Sequence, residues 1–169
     1  ESGNAAVQPG RPGYFEAAQF VTRLEIPTKL DRSEGDVHAA GNPHIQLDPR
    51  NLLAVAGPLA QRLGELDPAN AAYYAERQQA FAQRMRAAVA RWEKEAAPLR
   101  GSRVVAQHKS FSYLFRWLGI VEAGTLEPKP GIEPGSAHLA QLLKQARTEQ
   151  ARLIVRTPYD SPRPGEWLA

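Results

Sequence analysis

Cysteine is absent from this chain of 169 residues, and methionine occurs once. The first absence excludes disulfides, thiolate metal sites and cysteine nucleophiles together. No run of about twenty apolar residues occurs, which excludes a helical membrane span. The net charge is +3, but no block of basic residues stands out, because acids such as Glu65, Asp67, Glu76, Glu93 and Glu95 are interspersed. That dispersal argues against a nucleic-acid partner. No phosphate-cradling glycine loop, Gly-x-Ser-x-Gly or His-Glu-x-x-His is present, so the usual signatures of nucleotide, serine-hydrolase and zincin chemistry are missing.

What remains is an ordinary globular composition, 43% hydrophobic and 23% charged. The opening Glu1-Ser2-Gly3-Asn4 and the closing Gly165-Glu166-Trp167-Leu168-Ala169, which reads as the first turn of a helix, suggest cuts through a larger protein. Residues 1–13 read as loop. Apolar residues at Phe15, Ala18, Phe20, Val21 and Leu24 predict a short helix over Tyr14–Leu24, and residues 25–43 read as a long, mobile connection. Asp48-Pro49 is a helix start, with Asp as N-cap and Pro at the first position. The helix it opens has one apolar face (Leu52, Val55, Ala56, Leu59, Leu63 and Leu66) and should kink at Pro58. Asp67-Pro68 repeats the signal ahead of a helix reaching about Ala97, roughly 45 Å long. Its predicted stripe is Tyr74, Phe81, Met85, Ala88, Trp92 and Ala96. Without a sustained heptad pattern, it reads as a strut.

Beyond Pro98 the pattern changes. Arg103–Gln107, Ile120–Thr125 and Leu153–Val155 read as strands. Phe111–Leu118, ended by Gly119, and a segment capped by Ser136 with Leu139, Leu142, Leu143 and Ala146 on one face read as helices. Alternation of this kind predicts a parallel sheet with crossover helices.

His44 and His108 each sit where an irregular segment or strand gives way to a helix, and the two could meet across a cleft. Neutral imidazole is a common ligand for zinc. Taken singly, either histidine is more often a packed or hydrogen-bonded residue. His38 reads as a solvated loop residue and His138 as an exposed first-turn residue. Glu133 could face the same cleft or serve only as a turn residue. Lys109 and Ser110 suggest a nucleophile pair, but Ser110 has a natural alternative role as N-cap.

Gly41-Asn42-Pro43-His44, followed by Leu47-Asp48-Pro49, resembles the NPH-x-W-x-DP motif of the zinc- and manganese-binding solute-binding proteins of ABC importers. Val104 to Phe115 and Gly131-Ile132-Glu133-Pro134 resemble two further segments of that family. Gln8 to Tyr14 is similar to the leader of one of its branches. The resemblance implies an α/β fold of two lobes joined by a long rigid helix, here truncated, with a partial parallel sheet in the C-terminal lobe. On that scheme residues 1–66 are a remnant of the N-terminal lobe with its mobile loop, 67–97 the linking helix and 98–169 the partial C-terminal lobe. It also implies a metal held between the lobes by four ligands, of which His44 and His108 match the second and third. The first would precede the chain and the fourth would follow it. Gln46 departs from the family's usual Trp, which bears on wall packing.

The implied function is extracytoplasmic (periplasmic) capture of a divalent transition metal, zinc ahead of manganese, for delivery to an ABC permease in the membrane, with no catalysis. A helical protein-interaction module and a metal-dependent hydrolase, with Glu133 as its base, are the alternatives. Exposed faces left by truncation would favour a homodimer.

Overall fold

The computed structural model describes residues 3–28 and 38–169. Within the connection read as a mobile loop over residues 25–43, residues 29–37 lie outside the described residues. Residue contacts divide the chain into two compact units, Glu1–Thr22 with Asp48–Lys94 and Arg23–Leu47 with Glu95–Ala169.

In the first unit, α1 (Pro49–Leu66) begins as the sequence requires: Asp48 Oδ1 accepts the Arg50 backbone N–H at 3.0 Å, and Pro49 supplies the first helical residue. The helix continues through Pro58 as a single element. Asp67 stays outside the regular helices. Its carboxylate accepts hydrogen bonds from Asn70 Nδ2 and Tyr74 Oη at 2.8 and 2.9 Å, which ties the turn Pro68–Asn70 to the start of α2 (Ala71–Ala96). The 26 residues of α2 span about 39 Å. Its buried residues are Ala82 and Val89, whereas Trp92 of the predicted stripe is 37% exposed. The helix expected over Tyr14–Leu24 is instead a single 3-10 turn, Ala17–Phe20, with no side-chain cap. Phe15 stacks on Phe20 at 5.2 Å, so the apolar spacing serves a local ring contact. An isolated segment this short forms a stable helix only when packing supports it.

The second unit is built on a three-stranded parallel sheet, β1 (Arg103–Ala106), β2 (Val121–Thr125) and β3 (Leu153–Val155), in the order β2-β1-β3. Alternation along β1 sends Val105 to a core with Leu126, Leu142 and Leu168, and sends Val104 and Ala106 to another with Phe115. Both faces of β1 are therefore covered, which is why it reads as an unbroken apolar run. Phe115 comes from α3 (Ser112–Leu118), Leu142 from α4 (Ser136–Thr148) and Leu168 from α5 (Arg163–Leu168), while Leu126 lies just past β2. Gly119 ends α3 at φ 69°, the left-handed conformation a helix C-terminus favours. Ser136 is the first residue of α4, not its cap; Gly135 holds that place without a side-chain bond.

Glu122, on β2, is half-buried, and burial raises its carboxyl above the usual range, with Glu25 adding to the effect and Lys109 opposing it. A raised folded-state value means that folding favours the protonated acid. That contribution is complete below the unfolded-state value, about 4.3, and is lost as pH rises through the folded-state value. Glu122→Gln is therefore expected to raise the melting temperature at pH 7, with the gain vanishing below about pH 4. Thermal unfolding at the two pH values checks this.

Candidate metal centre

The ends of β1 and β2 bring the site together. Ala106 pairs with Thr125, and the pairing continues past the strands: Leu126 N donates to Ala106 O at 2.8 Å and Glu127 N to Gln107 O at 3.1 Å. Two residues beyond each strand stand His108 and Glu127, and His108 Nδ1 lies 2.7 Å from Glu127 Oε2. Carboxyl ends of parallel strands are where such sheets bind ligands.

His44 arrives from a separate segment, fixed by Asn42. This amide is only 8% exposed. Its Nδ2 donates to Glu25 Oε2 and to the Lys109 carbonyl, both at 2.7 Å, and its Oδ1 accepts the His44 backbone N–H at 3.0 Å. Tyr113 Oη donates to the Asn42 carbonyl and accepts the Leu24 N–H, each at 3.0 Å. Gly41 is required here. Its φ is 89°, and a Cβ would stand 2.6 Å from the Leu24 carbonyl oxygen. Glu25 also takes a left-handed conformation, φ 54°, with Oε1 accepting from Ser112 Oγ at 2.9 Å.

The two imidazoles meet edge to face, with ring centres 6.3 Å apart. They line one cavity of about 290 Å³, along with Glu25, His38, Asn42 and Lys109 and the loop residues Pro128–Pro130. Two imidazoles on one tetrahedral zinc, with bonds of about 2.0–2.1 Å, hold their ring centres roughly 5 Å apart. Burial lowers the His44 pKa, and His108 and His38 add to the effect against Glu25. His44 is thus biased towards the neutral form that can ligate a metal.

The remaining sequence candidates fall elsewhere. Glu133 is exposed and lies off this cavity. His138 Nε2 is 3.0 Å from the Thr125 carbonyl oxygen. Ser110 lies within the turn Lys109–Phe111 and does not cap α3, whose N-cap place is held by Phe111 without a side-chain bond. Among the described residues, no group of three His, Asp or Glu side chains is arranged to hold an ion. The residues that sequence reasoning missed are Glu127, Asn42, Glu25 and Tyr113. Asn42 and Tyr113 lie inside segments that the sequence marks as motifs, and Glu127 lies just past a strand, but the role of each depends on contacts that only the fold supplies.

Residues 5–169 match the family described as "ZnuA: Zinc-uptake complex component A periplasmic". The high-affinity zinc uptake system protein ZnuA of Brucella abortus (strain 2308) is 27% identical over 120 residues, covering 71% of this chain and 36% of that protein. A crystal structure of ZnuA superposes with a TM-score of 0.76 at 25% identity, covering 91% of this chain and 56% of that one. The solute-binding protein FpvC of Pseudomonas aeruginosa, solved in complex with Mn2+, gives 0.63 at 26% identity, covering 81% and 53%. The chain thus spans about a third of the curated relative and about half of the solved chains. Its helices and small parallel sheet are the fold of these solute-binding proteins. The family match spans nearly the whole sequence given, residues 5–169: this chain belongs to the periplasmic zinc-uptake component A family.

Proposed function

We propose that the chain is the metal-capturing part of a periplasmic solute-binding protein that takes up a divalent transition metal and delivers it to an ABC permease. His44 and His108 each supply one imidazole nitrogen to the ion. The observation that carries this reading is the convergence of two imidazoles, 6.3 Å apart, on one cavity. Nitrogen donors favour zinc, whereas manganese favours oxygen, so zinc ranks first and manganese second.

Capture without catalysis also fits the site. A metal-dependent hydrolase needs a general base free to act on bound water. Glu133 is exposed away from the cavity, and Glu127 is already engaged by His108 and the Gly131 N–H. On the family resemblance, ligands outside this chain complete the coordination. With two ligands the chain alone should bind zinc weakly, since closed zinc sites take four. Calorimetric titration at pH 7.5 is expected to show one zinc per chain, with an affinity that falls at least tenfold in either His44→Ala or His108→Ala. Equal affinity in both variants and the parent chain would overturn the reading.

A further inference from the structure

We infer that Glu127 is a positioning residue: it holds the Nδ1–H of His108 and leaves the Nε2 lone pair as the one presented to the ion. This deepens the function proposed above and rests on it. An ionised carboxylate can only accept hydrogen bonds. At 2.7 Å from Glu127 Oε2, His108 Nδ1 must therefore carry the proton. In a neutral imidazole the other nitrogen is then the acceptor, and so the metal donor. Free neutral histidine favours the opposite tautomer, so the carboxylate reverses the ring's own preference.

Glu127 is itself held on several sides. Its Oε2 accepts the Gly131 N–H at 2.8 Å, its N–H donates to the Gln107 carbonyl at 3.1 Å, and its carbonyl accepts from Thr125 Oγ1 at 2.8 Å. Its side chain is 17% exposed, against 29% for His108. The anchoring to Gly131 closes the loop whose Pro128, Lys129 and Pro130 line the cavity. One carboxylate thus fixes both the orientation of a ligand and the wall beside it. Its negative charge also makes Nε2 a stronger donor, as carboxylate partners of metal-binding histidines do.

The test compares the parent chain with Glu127→Ala and Glu127→Gln, all 15N-labelled and metal-free at pH 8. Nitrogen shifts are expected to place the His108 proton on Nδ1 in the parent and chiefly on Nε2 in the alanine variant. Zinc affinity should fall about 10- to 100-fold in the alanine variant. Glutamine keeps an acceptor but not the charge, so it should lose less. Should the alanine variant fail to fold, the glutamine variant decides: an unchanged affinity there overturns the inference. An unchanged tautomer, or an affinity within twofold in both variants, also overturns it. If His108→Ala leaves zinc binding intact, the proposed function fails instead, whatever the tautomer shows.

Discussion

Asn42→Ala is expected to destabilise the protein by about 3 kcal/mol, the sum of a charge-assisted hydrogen bond and two neutral ones. The amide bonds the Glu25 carboxylate, the Lys109 carbonyl and the His44 N–H from a buried position. Alanine leaves the part-buried His44 N–H without this partner and the Lys109 carbonyl with only the Ser112 hydroxyl, at 3.3 Å, and a donor left unsatisfied costs more than a hydrogen bond gains. Glu25 keeps Ser112. Because the same amide ties the His44 backbone to the turn after His108, zinc binding should be lost along with stability. Asn42→Asp should be at least as damaging, since it sets a second carboxylate against Glu25. Urea denaturation measures both variants. A cost below about 1 kcal/mol, the size of a single ordinary hydrogen bond, would mean that Asn42 does not clamp the segment.

Leu126→Ala should cost about 3 kcal/mol, within the range for truncating a buried leucine. Leu126 is fully buried among Val105, Leu142 and Leu168. Its backbone N–H pairs with Ala106 O, so it secures the register that carries Glu127 to His108. The expected signature is a lower urea midpoint with an unchanged slope, because a cavity alters stability and not the surface exposed on unfolding. A cost under about 1 kcal/mol would show that neighbouring side chains collapse into the space.

The local features of this chain were legible in its sequence. Asp48-Pro49 opens a helix, Gly119 closes one, and the apolar runs at Arg103–Ala106 and Leu153–Val155 are strands. Each depends on a few neighbouring residues. The helix misread at Tyr14–Leu24 shows the limit, because apolar spacing there reports a ring contact between Phe15 and Phe20. Glu127 required a register. An irregularity between Val104 and Val105 shifts the β1–β2 pairing by one residue, so strand boundaries alone do not set it opposite His108. The Asn42 clamp required contacts spanning 67 residues to Lys109 and 71 to Tyr113. No periodicity encodes such contacts. Gly41-Asn42-Pro43-His44 could be recognised as a motif, but its physical reason emerged only when Gly41 proved to have φ 89° and Asn42 proved to be buried.

The most direct test of the account is X-ray absorption at the zinc edge on the chain loaded with less than one equivalent of zinc. Nitrogen or oxygen neighbours are expected at about 2.0–2.1 Å, with the multiple-scattering pattern of two imidazoles, reduced to one in His44→Ala or His108→Ala. A spectrum showing no imidazole, or two imidazoles that persist in both variants, would contradict it.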